Sequence, residues 1–411
     1  MMPVELRLPL KPLDEALAEL LDHAAPLGKT QTVSSFEADG RVLAQDVVAA
    51  LDVPAHDNSS MDGYAVRSAD WTNAATVLQV NQRIAAGSNG TVLGQMSAAR
   101  IFTGAPIPEG ADAVVMQEDC TSAQDGSVCI ATQPKAGQWI RRRGEDVTAG
   151  RTVLSKGELL APESIGLAAS IGFDKLLVAA PVRVAMFSTG DELVMPGEVL
   201  PADMRPGAIY NSNRFFLRAL LLRLGCVVTD MGIVPDKLDA TKAALASASA
   251  SHDLVLTSGG VSVGEEDHMK PAVQALGRLN LWQIAIKPGK PFAYGKIDAA
   301  HFIGLPGNPV SSFVTFVLLV RPFIRKLQGA TQIAPDSIAA CAHFHWVKAD
   351  KRREFLRVKR NLAGGLDLFD NQSSGVLTSV VWADGLVDNP AGKTIAHGDV
   401  VRFIPFSSLM S

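Results

Sequence analysis

Between residues 181 and 328, strand-like apolar runs alternate with helix-like ones: "VRVAMFST", "NRFFLRALLLRLG", "CVVTDMGIV", "DATKAALASASA", "DLVLTSGG" and "PAVQAL" follow one another. Continuous apolar strands separated by helices of this length predict a parallel sheet covered on both faces and wound in a right-handed, doubly wound order. In such sheets the ligand crevice lies at the carboxyl ends of the strands, so the strand-to-loop junctions supply its residues.

Three of those junctions carry acids: "STGDEL" (188–193), "VPDKLD" (234–239) and "SGGVSVGEED" (258–267). The glycine turns suit an anion, because backbone N–H groups and a helix start favour negative charge. Gly190, Asp191, Ser258, Gly259, Gly260, Ser262 and Gly264 are therefore candidate ligand-binding residues. Acids beside a phosphate pose a conflict, since the two repel by roughly 1 kcal/mol in water and ~4 kcal/mol at a partly buried surface when ~4 Å apart. Either the acids face water, or a divalent cation sits between them and the ligand. Mg²⁺ takes oxygen ligands and often reaches a protein through one or two carboxylates plus ligand phosphates. Asp191, Asp236 and Glu265 can equally serve as helix caps. Pro271 is expected at the first helical position, which leaves Glu265, Glu266 and Asp267 in the loop.

The next strand end brings the opposite charge, with Lys287 and Lys290 in "AIKPGKPFAYG". In "GLPGNPVSSF" (304–313) a turn precedes an apolar helix and can offer N–H groups and the Asn308 amide to an anion, although such a sequence is also an ordinary turn. The expected crevice has a carboxylate wall facing a cationic wall.

The flanks differ in texture. Leu13, Ala16, Leu17, Leu20, Leu21 and Ala24 predict an amphipathic helix that Pro26-Leu27-Gly28 ends. From about 30 to 155, short β-leaning segments alternate with turn residues, and from about 330 to 411 "EFLRVKR", "LDLFD", "VLTSVVWA" and "DVVRFIPF" read as strands of a small barrel or sandwich. Arg141, Arg142 and Arg143 either grip phosphates or form a solvated basic turn, and Asp62 and Thr103 each precede a glycine and can simply stabilise turns. His343 and His345 read as neighbours on one strand face rather than a metal site. The length of 411 residues suits two to four domains, and a net charge of −4 with 19% charged residues lacks the basic surplus of a nucleic-acid binder. Four cysteines without C-x-x-C spacing, no signal-like N-terminus and only short apolar runs lead us to expect a cytoplasmic protein with no membrane partner.

Taken in order, "SMDGYA", "FTGAPIPEGADAVVMQED", "RRRGED", "STGDEL", "SGGVSVGEED", "IKPGKP" and "GLPGNPVSS" resemble the molybdopterin molybdenumtransferases, the MoeA family that includes the gephyrin E-domain. The resemblance implies an α/β plus β fold: an elongated multidomain chain with a doubly wound parallel-sheet domain like that of molybdopterin adenylyltransferases, a β-rich inserted domain and a C-terminal β-barrel. The implied domains are I (1–52 and 145–178), II (53–144), III (179–329) and IV (330–411). It implies a homodimer whose crevice is shared between subunits, because the second domain faces the partner's third. The implied reaction joins adenylylated molybdopterin and molybdate to give molybdenum cofactor and AMP, with Mg²⁺ as cofactor and the molybdopterin adenylyltransferase as a partner. Carried onto this chain, the catalytic positions are Asp62, Thr103, Glu192, Asp236 and Asp267, with Glu192 and Asp267 holding the metal. Lys287, Pro306 and Arg357 match the molybdate region, and Ser373 lies in the matching segment of the last domain. Two departures stand out: Lys237 where the family often has a second acid, and Gln283 where it often has a basic residue. Two other readings remain, adenylyl transfer to molybdopterin and a dimeric scaffold that binds partner proteins.

Overall fold

The computed structural model describes residues 10–261 and 268–410, apart from the side chain of Leu281. Residues 262–267, and with them the expected roles of Ser262, Gly264 and Asp267, lie outside the described residues.

The alternating region forms β1 (Arg183–Thr189), α1 (Ser212–Arg223), β2 (Val227–Val234), α2 (Leu238–Ser249), β3 (Leu254–Ser258), α3 (Met269–Leu276), β4 (Gly277–Gln283), β5 (Pro291–Ile297) and β6 (Ala300–Leu305). A long helix, α4, follows as Pro309–Thr315, a π-helical stretch Phe316–Val320, and Arg321–Leu327. Strand order is β2-β1-β3-β6-β5-β4. The first four strands run parallel, and β5 and β4 extend the sheet antiparallel. Alternation along β1 assigns the faces. Val184 and Met186 pack with α1 and α4, whereas Ala185 and Phe187 pack with α2 and α3. Chain direction reverses its winding between β1 and β3, which opens a crevice at their carboxyl ends. Helix α3 begins at Met269, so Pro271 is its third residue rather than its first; a proline is tolerated anywhere in a first turn because those N–H groups lack intrahelical partners.

The helix expected at 13–24 spans Leu13–Asp22 and lies on the α4 side of this sheet, with Leu13, Ala16 and Leu20 in the same core. Burying two leucines there contributes about 3–6 kcal/mol. Strands on either side of the β-rich segment pair with each other, Thr30–Ser34 with Lys175–Ala179 and Val47–Val48 with Thr152–Leu154. Between them lies a six-stranded sheet in which strand Gly63–Val66 is flanked by the edge strand Ala113–Met116 and by Ser97–Ile101. Gly63 is required there: a Cβ would lie 1.9 Å from the Val115 carbonyl oxygen.

Strands Arg353–Arg360, Gly365–Leu368, Ile338–Ala342, Val400–Pro405 and Gly385–Asn389 close on themselves as a five-stranded barrel. Closure leaves a narrow interior filled by Val358, Leu366, Val387 and Phe403. The segment "VLTSVVWA", read as a strand from its β-branched residues, holds a short helix instead, Thr378–Trp382. There Ser379 turns inward, donating to the Val376 carbonyl and accepting from Arg357, and such packing and bonding override a local propensity of about 1 kcal/mol or less. The short strand Ile286–Lys287, between β4 and β5, adds to the barrel beside Arg353–Glu354.

Candidate active site

A cleft of about 720 Å³ lies at the carboxyl edge of the sheet. Each parallel strand contributes to it: Thr189 and Gly190 after β1, Asp236 after β2, Ser258 to Val261 after β3, and Pro306 to Pro309 after β6. Glu192 lines it, as does Gly375 from the C-terminal region. The backbone of Gly259 has φ +94°, and a Cβ would come within 2.7 Å of the Thr189 carbonyl, so only glycine lets β1 and β3 approach here. Gly190, at φ +143°, makes room for the Glu192 carboxylate, whose oxygens would stand 2.6 and 2.9 Å from an added Cβ.

Residues that sequence reasoning passed over organise the floor. Asn213, in the first turn of α1, donates to Ser258 Oγ at 2.8 Å and to the Gly307 carbonyl at 2.7 Å. One buried amide thus ties the loops after β3 and β6 to the start of α1. Asn211 caps α1 by accepting from the Arg214 N–H, while its own amide nitrogen is buried without an acceptor among the described residues. Both asparagines line the cleft, so the positive end of the α1 dipole opens onto it. Asparagine ahead of an apolar helical run is an N-cap signal that the sequence did contain.

The two-walled crevice expected from sequence is not what one chain builds. Of the expected residues, Gly190, Glu192, Asp236, Ser258, Gly259, Gly260, Pro306 and Asn308 line the cleft, and its described lining holds no cationic side chain. Asp191 and Lys290 are exposed outside that lining. Lys287 turns toward the barrel, with its ammonium 3.0 Å from Glu354 Oε1 and 3.4 Å from Asp350 Oδ2. The reason is topological, since the lysine sits on the strand that joins the barrel. Arg357 is only 1% exposed and donates to Ser379 Oγ, the Phe355 carbonyl and, at 3.5 Å, the Ser373 carbonyl. All three acceptors are neutral, and burial pushes the guanidinium down to about 10. Ser373 begins the short stretch that supplies Gly375 to the cleft and a Ser374 carbonyl to the Val310 N–H at the start of α4.

Asp62 and Thr103 stand together on the β-rich sheet, away from this cleft's lining. They flank paired strands, and Asp62 Oδ1 accepts from both the N–H and the hydroxyl of Thr103 at 2.8 Å. The Thr103 N–H, then its hydroxyl, holds the Asp62 carboxyl below its usual range. In the basic turn, Arg142 donates to Asp57 at 2.6 Å and Arg143 to Asp52 at 2.5 Å, so two of the three guanidiniums are already paired. Glu192 and Asp236 give the cleft hard oxygen donors of the kind Mg²⁺ prefers, and the residues present fit that ion. Among the described residues no three His, Cys, Asp or Glu side chains gather into a complete cage, so Glu192 and Asp236 alone would not complete the ion's coordination.

Three family models follow one another along the chain: the MoeA N-terminal region, domains I and II, over residues 11–172, the family described as a probable molybdopterin binding domain over 185–326, and the MoeA C-terminal region, domain IV, over 339–406. A molybdopterin molybdenumtransferase of Haemophilus influenzae is 44% identical over 84% of this chain and 85% of its own length. Molybdopterin molybdenumtransferase 2 of Mycobacterium tuberculosis is 36% identical over 91% of this chain and 93% of its own. The crystal structure of the molybdopterin biosynthesis moeA protein of Pyrococcus horikoshii OT3 superposes with a TM-score of 0.84 at 29% identity, covering 97% of this chain and all of that one. With all three regions matched and close relatives aligned over most of its length, the chain belongs to the molybdopterin molybdenumtransferase (MoeA) family.

Proposed function

We propose that this chain is a transferase of molybdenum cofactor biosynthesis that receives adenylylated molybdopterin in the cleft, inserts molybdenum from molybdate and releases AMP. The observation that carries the reading is Arg357, a buried guanidinium with only neutral acceptors beside the segment that reaches the cleft. A charge so placed favours an anion, because a buried cation without a counter-ion is costly. The names of the relatives, and the fit of the cleft loops to a phosphorylated ligand, support the same conclusion.

The α1 start and the glycine turn after β3 bind the phosphate end, and the bonds from Asn213 to Ser258 and Gly307 keep those loops in register. Arg357 and Lys287 hold the oxyanion, which turns an encounter between two anions into a positioned exchange beside the dithiolene sulfurs. Glu192 and Asp236, joined by Asp267 from beyond the described residues, are the side chains that would hold Mg²⁺. When bound, that ion neutralises charge developing on the departing AMP. Asp62 and Thr103 complete the site from the second subunit of a homodimer, a reading supported by their not being among the residues that line the cleft of their own chain. The adenylyltransferase that makes the substrate is its natural partner.

With purified protein, adenylylated molybdopterin and Mg²⁺, AMP release should depend on molybdate, and Glu192→Gln should slow it by about 10²-fold or more. AMP release that ignores molybdate, or ATP consumption without preformed adenylylated substrate, would overturn the proposal.

A further inference from the structure

The Lys287 ammonium is already matched with negative charge before any substrate arrives. Its strand lies parallel to the barrel strand, with Lys287 opposite Glu354. Glu354 is 1% exposed, and its second oxygen accepts from Trp346 Nε1 at 2.7 Å and from Asn389 Nδ2 at 3.4 Å. The carboxylate is thereby fixed in place from three sides. Asp350 adds a second carboxylate at 3.4 Å but is itself bound by Arg352, which donates to both its oxygens. The lysine side chain remains 37% exposed, open to exchange partners.

We propose that Glu354 is a positioning residue acting as a resident counter-ion: it occupies, on Lys287, the place that the incoming oxyanion takes, and so sets the oxyanion affinity of the site. This rests on the reading above in which Lys287 contacts molybdate. A carboxylate 3.0 Å from the ammonium both neutralises that cation and repels a dianion approaching it. Binding therefore requires Lys287 to leave Glu354 or to share its charge, and the cost of that exchange appears as a higher molybdate requirement. Trp346, whose ring lies 5.8 Å from the ammonium, and Asn389 keep Glu354 from following the lysine.

Glu354→Gln removes the charge and keeps an oxygen for Trp346. Half-saturating molybdate, measured by equilibrium dialysis of molybdate alone and by AMP release in the full assay, should fall about tenfold, as expected for deleting one like charge at a partly exposed pair; kcat should move far less. Glu354→Asp keeps the charge and should restore the parent value. In a Lys287→Gln background the position-354 change should have a clearly smaller effect, leaving only the direct repulsion, with half-saturation raised in both. If folded Glu354→Gln shows unchanged or raised half-saturation while Lys287→Gln raises it, the counter-ion role is overturned and the oxyanion site stands. If Lys287→Gln changes nothing, the placement of Lys287 at the oxyanion falls as well. Should Glu354→Gln fail to fold, Asp350→Asn must lower half-saturation in the same direction, and its failure to do so overturns the proposal equally.

Discussion

Arg357 and Lys287 show how two basic residues reach opposite electrostatic states. The arginine is enclosed by a hydroxyl and two carbonyls, whereas the lysine is held by two carboxylates. Arg357→Met should accordingly leave the denaturant midpoint level or higher, because an apolar side chain suits a buried site better than an unneutralised cation. It should also raise half-saturating molybdate by about tenfold or more. A large loss of stability with unchanged molybdate dependence would make the arginine a purely structural residue. The glycines and acids of the cleft were legible in the sequence, because turn geometry and charge are local properties. The partners of Lys287 were not, since Glu354 follows it 67 residues later, on the barrel strand with which Ile286–Lys287 pairs.

Among the elements, helix α1 and the parallel strands could be read from apolar runs alone. The helix Thr378–Trp382 could not, since its turn is held by local bonds such as Ser379 to the Val376 carbonyl, with Ser379 buried, and not by the strand pairing its β-branched residues suggest. A strand end was expected at Lys287, but β4 itself stops earlier, at Gln283. Its "GRLNLWQ" has weak alternation, and it is defined by antiparallel pairing with β5. On β6, His301 is buried, its ring 5.0 Å from Phe323 and its Nδ1 3.0 Å from the Tyr294 hydroxyl. Desolvation lowers it from 6.5 to about 4. The folded state therefore binds the proton less tightly than the unfolded chain. Its stabilisation is complete above about pH 6.5 and is lost as pH falls toward about 4, by about 3 kcal/mol at most. The urea midpoint should decline across that window, and His301→Asn should flatten the decline. An equally steep decline in the variant would assign the acid sensitivity to other groups.

For the whole molecule, the fold class followed from the order of textures along the sequence, while the distribution of charge between modules did not. Among the described residues, two carboxylates line the cleft while the Asp62 and Thr103 pair stands on a separate sheet. If a second subunit supplies that pair, Asp62→Asn and Glu192→Gln proteins, each nearly inactive, should regain about a quarter of wild-type activity when dissociated and reassembled in equal amounts, since half the dimers would carry one intact site. Mixtures no more active than their components would make each chain self-sufficient.

The loop from β4 to β5 begins and ends in the sheet, yet its middle is stitched to the barrel by a hydrogen bond from the Arg353 N–H to the Ala285 carbonyl. Its far end is Pro291, on the cleft rim. Sheet and barrel are thus tied together by backbone next to the cleft rim, so the rim shares its anchorage with the barrel as well as with the sheet.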